Sequence, residues 1–300
     1  MVEHPRNILI TGASGMIGSA LTRALVAREG YRVFALSRKD SAAPFYYDNN
    51  TQTTCLDPTI PLYGVINLAG PNIADKRWSD SRKKEILGSR QRLTASLSEA
   101  LAKLEVKPQI LLSGSAIGYY GLTASLAVDE NSPAGNDFPA QVACAWEAAT
   151  EPAEEAGIAV IHLRTGIVLS SQGGALQKLL LPFKLGMGGK LGKGGQFMSW
   201  ISLPDAVNAI IHLLENVPSS GPVNLVSNKP VTNAEFTRQL GAVLHRPTFF
   251  NLPGGLLRLA LGEMAEYLLL GSSRVQSVKL QKLGIQLQHQ DLTMALKAVL

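Results

Sequence analysis

A glycine-rich turn near the start of the chain restricts the fold more than any other feature of the sequence. An apolar run over residues 7–11 leads into Thr11-Gly12-Ala13-Ser14-Gly15-Met16-Ile17-Gly18, and a helical pattern follows. In such a turn Gly12 permits the tight reversal, Gly15 lets backbone N–H groups approach a diphosphate, and Gly18 lets the helix pack closely on the strand. The pattern predicts the first β-α unit of a dinucleotide-binding (Rossmann) domain, with the diphosphate at the helix N-terminus.

The chain then alternates between strand-like and helix-like patterns. Apolar runs predict strands at 8–11, 32–37, 65–68, 110–113, 159–163 and 223–226. Apolar residues at helical spacing predict helices at 16–28, 79–104, 137–156, 204–215 and 233–244. This alternation predicts an α/β fold, in which helices cover both faces of a doubly wound parallel sheet.

Two later segments depart from the alternation. Residues 170–200 are punctuated by glycines, and we interpret them as a loop-rich flap that is too glycine-rich for regular core structure. After Arg246-Pro247 the pattern is helical and rich in leucine. We therefore expect a Rossmann domain over 1–245, which includes the flap, and a small, mostly helical C-terminal appendage over 246–300.

Composition and charge narrow the class of protein. We expect no signal peptide, because the first strand begins close to Met1, and no membrane span, because charged side chains interrupt the apolar stretch 256–270. Cys55 and Cys144 match neither a metal site nor a disulfide framework, so we predict no metal centre and a cytoplasmic location. With a net charge of only +5 and no aromatic stacking motif, we expect no nucleic-acid partner, and without a membrane span we expect no membrane partner.

The end of the second predicted strand indicates which dinucleotide is bound. It reads Ser37-Arg38-Lys39, at the place where NAD-selective proteins usually carry an acidic residue that binds the ribose 2′-hydroxyl. A guanidinium pairs with a 2′-phosphate and lies against the adenine ring, which favours NADP(H). Asp40 offers the acidic alternative, but it lies beyond the strand end.

Further segments spread over almost the whole chain carry a family resemblance. They are Val65-Ile-Asn-Leu-Ala-Gly70, Ala74-Asp-Lys-Arg-Trp78, Ser89-Arg90, Leu112-Ser-Gly-Ser-Ala-Ile-Gly-Tyr-Tyr-Gly121, Trp146-Glu147, Leu163-Arg-Thr-Gly-Ile-Val168 and Trp200-Ile201. Together they resemble the extended, or atypical, short-chain dehydrogenase/reductase superfamily. Within it they resemble the sugar-nucleotide-epimerase-like proteins sometimes labelled cell-division-inhibitor-like.

The resemblance extends the expected cofactor site beyond the glycine turn. It implies that small residues after one strand line the adenosine side, that polar residues of the long second helix reach the riboses, and that two later strand ends lie near the nicotinamide. An exposed charged pair remains an equally good interpretation of Glu85. The expected cofactor contacts are Gly12, Ser14, Gly15, Met16, Ile17, Gly18, Ser37, Arg38, Leu68, Ala69, Gly70, Glu85, Arg90, Ser113 and Val168.

The catalytic pair of the resembled family is missing. Active members carry Tyr-x-x-x-Lys on the helix after the fifth strand, and the lysine lowers the tyrosine pKa so that the phenol exchanges a proton. Here Ala143 stands in the tyrosine position and Glu147 in the lysine position. Ser115 matches the family's catalytic serine. Tyr119 and Tyr120 follow the strand end and are candidates for the missing acid, although tyrosines there equally serve as pocket walls.

Other polar residues keep two interpretations. Lys76 and Arg77 follow a strand end and suit an anionic substrate, but with Trp78 they equally suit a packing anchor beside solvated cations. His162 lies inside a strand and is more typical of a structural histidine. Segment 198–205 resembles the one that closes over substrate in epimerases, but it carries Ser202 and Pro204 where that family has a histidine and an acid.

Two hypotheses follow for the function. The first is an NADP(H)-dependent oxidoreductase or epimerase-like enzyme that acts on a small, anionic or sugar-derived substrate with an unconventional proton donor. The second is a non-catalytic NADP(H)-binding sensor or scaffold that regulates a protein partner. The sequence indicates neither the substrate nor an oligomeric state.

Overall fold

The computed structural model describes residues 5–38, 40–217 and 220–300. Its helices and strands are, in chain order, β1 (Arg6–Thr11), α1 (Met16–Val26), β2 (Tyr31–Ala35), β3 (Phe45–Asp48), β4 (Thr53–Leu56), β5 (Gly64–Asn67), α2 (Asp80–Ala102), β6 (Ile110–Ala116), β7 (Ala127–Val128), α3 (Phe138–Ala148), α4 (Glu151–Glu155), β8 (Ala159–Thr165), β9 (Ile167–Leu169), α5 (Gly174–Lys184), β10 (Phe197–Met198), β11 (Trp200–Ser202), α6 (Leu203–Asn216), β12 (Gly221–Leu225), β13 (Val231–Thr232), α7 (Asn233–Leu244), α8 (Gly254–Leu261), α9 (Glu263–Ala265), β14 (Arg274–Val275), α10 (Val278–Lys282) and α11 (Leu292–Val299). A 3₁₀ turn covers Ile117–Tyr120, and a π-helical turn covers Glu266–Leu270.

Six parallel strands form the central sheet in the order β12-β8-β6-β5-β1-β2. They are the six strands that the sequence predicts, and the doubly wound α/β fold is confirmed. Strand order reverses at β1, which pairs with β2 on one side and with β5 on the other. In open α/β sheets, ligands bind in the crevice beyond the strand ends at such a switch point.

The sheet is buried on both faces. Ile8, Leu9 and Ile10 are all fully buried, as expected for a parallel strand covered by helices on either side. On one face the strands pack against α1 and α6. On the other face they pack against α2 and α4.

The glycine-rich segment is more regular than the sequence analysis predicts. The interpretation of 170–200 as a loop-rich flap is wrong for α5, an eleven-residue helix within it. Leu176, Leu180 and Phe183 are buried along one side of α5. Gly173 and Gly174 lie at the start of the helix, where glycine is tolerated. They therefore do not prevent the apolar residues that follow from forming a helix. Similarly, the predicted helix 137–156 is divided into α3 and α4, and Pro152 lies in the first turn of α4.

Residues 246–300 pack against the sheet and its helices. Leu292, Ala295 and Leu296 of α11 share a buried cluster with Trp200 and Phe236. Leu280 of α10 joins the cluster beneath α1 and α6. The division at residue 246 into two domains stays a prediction. Across the described ranges, no helix combines the length and the apolar content that a membrane crossing requires.

Candidate functional site

The glycine turn between β1 and α1 has the geometry of a phosphate-binding turn. Gly12 has a φ of +70°, and a Cβ added there would lie 2.8 Å from the carbonyl carbon of Leu68. A Cβ on Gly18 would collide with the carbonyl oxygen of Gly12, so the first turn of α1 packs directly on the glycine turn. Both positions therefore require glycine, because any side chain would displace backbone.

The N-terminus of α1 carries no side-chain cap. Its N-cap is Gly15, and its first turn contains no acidic residue. By contrast, Ser79, Asp137, Ser202 and Thr232 cap α2, α3, α6 and α7 through their side chains. An uncapped N-terminus leaves backbone N–H groups and a partial positive charge for an anion, which fits the diphosphate of a dinucleotide.

Thr11 joins the glycine turn to the loop after β5. Its hydroxyl oxygen accepts hydrogen bonds from the backbone N–H groups of Leu68 and Ala69, each at 3.1 Å, and its proton goes to Asn67 Oδ1 at 2.7 Å. This contact holds the expected adenosine-side segment Leu68–Gly70 beside Gly12. Neither Thr11 nor Asn67 is among the cofactor contacts expected from the sequence, although polar residues at the ends of two apolar strands are a recognisable signal.

Arg38 lies at the same edge of the sheet as the glycine turn. The N–H of Leu36 donates to Ile10 O at 3.0 Å, so the chain after β2 stays next to β1. Ser37 pairs with β3 through the N–H groups of Ser37 and Tyr47, and the Arg38 side chain is exposed. Lys39, the other predicted cation, lies outside the described residues.

Arg90 and Glu85 occupy different environments on α2. Arg90 is buried, donates from Nη2 to Pro71 O at 2.8 Å and lies against the Trp146 ring, so it supports the loop after β5. Burial lowers the pKa of Arg90 to about 10. Glu85 is exposed and pairs with Arg82 Nη1 at 2.8 Å. Its surroundings therefore match the interpretation of Glu85 as part of an exposed charged pair.

Ser113 and Val168 are interior residues. The Ser113 hydroxyl accepts a hydrogen bond from Asn67 Nδ2 at 3.4 Å and is fully buried. Val168 is buried in the core beneath α1 and α6. Nearby, Met16 lies against Gly173, where an added Cβ would be 3.1 Å from its sulfur. Any cofactor contact by Val168 therefore involves its backbone, as the family resemblance implies.

The position of the missing catalytic lysine is occupied by a buried ion pair. Arg164 of β8 donates from Nε to Glu147 Oε1 and from Nη2 to Glu147 Oε2, both at 2.8 Å. Burial opposes the charge of Arg164, but its hydrogen bonds to Glu147 and Tyr120 outweigh this effect and raise its pKa. Ser115 Oγ donates to Glu147 Oε1 at 2.6 Å. The carboxylate thus organises the serine and the guanidinium together.

The two candidate tyrosines pack against each other edge to face, and both contact the Arg164 guanidinium. Arg164 Nη1 donates to the Tyr120 hydroxyl at 3.0 Å, and that hydroxyl donates to Asn224 Oδ1 at 2.7 Å. Burial raises the pKa of Tyr120 to about 12 despite the hydrogen bonds from Arg164 and to Asn224. The guanidinium carbon of Arg164 lies over the Tyr119 ring, 3.3 Å from the ring centroid. Tyr119 is half-buried, and within the described ranges no hydrogen bond is made by its hydroxyl.

This network continues into the C-terminal segment through Glu130. The Glu130 carboxylate is buried and accepts from the N–H of Asn224 at 3.1 Å, from Ser277 Oγ at 2.8 Å and from the N–H of Val278 at 3.0 Å. It therefore fixes the start of α10 to β12. No role is predicted from the sequence for Arg164, Asn224 or Glu130. For the first two, the available signal is a charged or polar side chain within an apolar strand.

The other residues with two interpretations are either packed in the protein interior or exposed to solvent. Trp78 is buried, donates from Nε1 to Ile73 O at 2.9 Å and stacks on Tyr267 with ring centroids 6.1 Å apart, so it is a packing anchor. Lys76 and Arg77 are exposed. His162 lies 2.9 Å from Thr150 Oγ1, and burial lowers its pKa, so it is neutral at physiological pH.

Comparisons with known proteins give consistent results. The sequence profile of the NAD-dependent epimerase/dehydratase family matches residues 8–225, and that of a domain of unknown function matches residues 252–299. An epimerase family protein of Mycobacterium bovis is 42% identical over 96% of each chain. The human epimerase family protein SDR39U1 is 34% identical over 97% of this chain and 99% of its own. The crystal structure of human SDR39U1 (isoform 2) with NADPH superimposes with a TM-score of 0.90, covering 98% of each chain at 33% identity.

Proposed function

Since the chain belongs to the NAD-dependent epimerase/dehydratase family of extended short-chain dehydrogenases/reductases, we propose that it binds NADP(H) and is an oxidoreductase or epimerase-like enzyme acting on a small substrate. The observation that carries the proposal is the turn around Gly12 and Gly18, whose backbone leaves no room for side chains, next to the uncapped N-terminus of α1. The relative crystallised with NADPH supports the choice of cofactor.

The proposed cofactor site runs along the sheet edge at the switch point. The backbone N–H groups of Ser14, Met16 and Ile17 would face the diphosphate, whereas the N–H of Gly15 donates to Gly12 O at 2.9 Å. Arg38 would pair with the 2′-phosphate. The segment Leu68–Gly70 lines the adenosine side and is held there by Thr11 and Arg90. When bound, the nicotinamide supplies or accepts a hydride.

We assign substrate orientation to Ser115 and proton exchange to Tyr119. Because Ser115 donates its own proton to Glu147, its oxygen is oriented to accept a hydrogen bond, and it suits a substrate hydroxyl rather than a carbonyl. Tyr119 has its phenol outside the hydrogen-bond network, whereas Tyr120 is occupied on both sides and has a pKa of about 12. Tyr120 therefore positions Arg164, and Arg164 supports the ring of Tyr119.

One observation favours the second hypothesis, a non-catalytic sensor. The buried groups Glu147, Arg164 and Tyr120 satisfy one another, as in a structural network. In that case the chain would still bind NADP(H), and the bound cofactor would control a contact with a protein partner.

Turnover with a panel of small alcohols, hydroxy acids and sugar nucleotides, and with the matching carbonyl compounds, separates the two hypotheses. Nicotinamide absorbance reports oxidation or reduction, and chromatography of the sugar products reports epimerisation, which leaves the cofactor unchanged overall. Both are followed for the unmodified chain, for Ser115→Ala and for the control Ser98→Ala, a buried serine of α2 outside the network. An enzyme loses turnover with Ser115→Ala alone. NADPH binding without turnover on any member of the panel favours the sensor, and a failure to bind NADPH contradicts both.

A further inference from the structure

Exposed apolar side chains are concentrated in two segments that lie side by side. Phe249 is 86% exposed and Leu259 is 76% exposed, although both are large apolar residues. The other members are more than two-fifths exposed. We call this set the apolar face, and it comprises Leu181, Leu185, Met187, Phe249, Phe250, Leu252, Leu256 and Leu259.

Hydrogen bonds and a close backbone approach join the two segments. Arg246 Nε donates to Lys184 O at 2.8 Å, and the N–H of Leu252 donates to Lys190 O at 2.9 Å. A Cβ on Gly189 would overlap the carbonyl of Phe250, so the two chains are in direct contact there. Leu256 and Leu259 are three residues apart on α8, which begins directly after this pairing, and they share one side of that helix. The two segments that carry the apolar face are therefore in direct contact, and Leu256 and Leu259 lie on the helix that follows.

The two segments that carry the apolar face contain basic residues and no acidic ones. No acidic residue occurs between Glu155 and Asp205 or between Glu235 and Glu263, and the two stretches contain all of the apolar face. Within them, Lys184, Lys193 and Arg246 are exposed. Arg258 is also exposed but is paired with Glu266 from the following turn. An apolar surface with a basic margin matches an anionic partner.

We propose that the apolar face docks on the surface of an anionic lipid bilayer. Phe249 lies in a segment without regular secondary structure and is almost fully exposed, which suits insertion between lipid headgroups, while lysine and arginine pair with the anionic headgroups. A second copy of this chain would bring like charges together. The expectation of no membrane partner rested on the lack of a spanning segment, and surface docking requires none.

Co-sedimentation with vesicles tests the apolar part of the proposal. The unmodified chain binds vesicles of equimolar phosphatidylglycerol and phosphatidylcholine. The double variant F249S/F250S binds at least about tenfold more weakly, because two phenyl rings no longer leave water. The control Leu126→Ser, at a residue 73% exposed in a different part of the chain, binds as the unmodified protein does. An unchanged thermal unfolding midpoint shows that the variants are folded.

The electrostatic part has its own controls. Binding weakens with added salt and with K184Q/K193Q, but it does not change with K103Q/K107Q, two exposed lysines near the end of α2. Equal binding to vesicles of phosphatidylcholine alone, or no binding at all, overturns the proposal. So does a dimer in light scattering that F249S/F250S dissociates, because the occupant would then be a second copy.

Discussion

At the scale of single residues, Tyr119 and Tyr120 are sequence neighbours with different expected roles. Tyr119→Phe is expected to lower kcat by roughly 10²–10⁴-fold, the usual contribution of a general acid, and to leave NADPH affinity unchanged. Tyr120→Phe is expected to lower the free energy of unfolding by about 1–3 kcal/mol, because Arg164 and Asn224 each lose a buried partner. Steady-state kinetics and urea unfolding measure the two effects.

The reverse pattern would contradict these roles. If Tyr120→Phe abolished turnover without loss of stability while Tyr119→Phe had no effect, proton exchange would belong to Tyr120. If neither variant altered measurable turnover, the proton donor would have to be sought elsewhere in the network, first at Glu147.

His162 gives the fold a pH dependence whose sign follows from its burial. Burial lowers the pKa of His162 below its ordinary value of 6.5, so the unfolded chain binds this proton more readily than the folded protein does. The free energy of unfolding should therefore fall as the pH drops below about 6.5, until the folded histidine is also protonated.

His162→Gln retains a side chain able to hydrogen-bond Thr150 but removes the titrating group. Urea unfolding at neutral and at mildly acidic pH should show a smaller loss of stability in this variant than in the unmodified chain. An identical loss in both proteins would mean that other groups account for the whole effect.

At the scale of the helix α3, the geometry argues against a simple restoration of the family's catalytic pair. Glu147→Lys would place an ammonium against Arg164, and Ala143→Tyr would insert a ring at a fully packed position. Breaking the buried pair is expected to cost about 3–5 kcal/mol of stability. The double variant should therefore unfold at lower urea concentration and gain no reductase activity.

Glu147→Gln is the matched control, because it keeps the shape and some hydrogen bonds. It should be destabilised less than Glu147→Lys. A stable, active Ala143→Tyr/Glu147→Lys protein would show that the Arg164 side chain can leave the site, and the positioning role of the pair would fail.

The C-terminal helix α11 should be necessary for the sheet domain to be stable. Leu296 is fully buried in a cluster with Trp200 and Phe236, so Leu296→Ala is expected to cost about 2–5 kcal/mol in urea unfolding. The neighbouring Met294→Ala, at an exposed position, is the control. A chain ending at Arg246 that was soluble and equally stable would show that residues 246–300 are an independent appendage.

At the scale of the whole molecule, the sequence predicts the sheet better than it predicts the segments between the strands. Each central strand is a buried apolar run, and this signal is local. The hairpin β3–β4 is absent from the prediction, because residues 45–56 are mostly polar and pair through the main chain. In α5 the flanking glycines concealed the periodicity of Leu176, Leu180 and Phe183.

The candidate site also has one part that the sequence predicts and one part that it does not. The glycine turn is a local motif and is visible in the sequence. The network around Glu147 joins α3, β6, the 3₁₀ turn after β6, β8 and β12, and some of its partners are far apart in the chain, such as Tyr120 and Asn224 at 104 residues. Such pairings depend on strand order, and no local pattern of one sequence encodes them. For this reason Arg164 was noted only as part of a resemblance, although it is central to the site.

The central claim is that this chain selects NADP(H) through the glycine turn and Arg38. Titration of the purified protein with NADPH and with NADH, followed by nicotinamide fluorescence, tests it most directly. We expect a dissociation constant roughly ten- to a hundredfold lower for NADPH, since a charge-assisted hydrogen bond contributes about 1.5–3 kcal/mol. Arg38→Ala should remove most of this difference, while Arg28→Ala, which pairs with Glu215, should retain it. Equal affinity of the unmodified protein for the two cofactors would contradict the account.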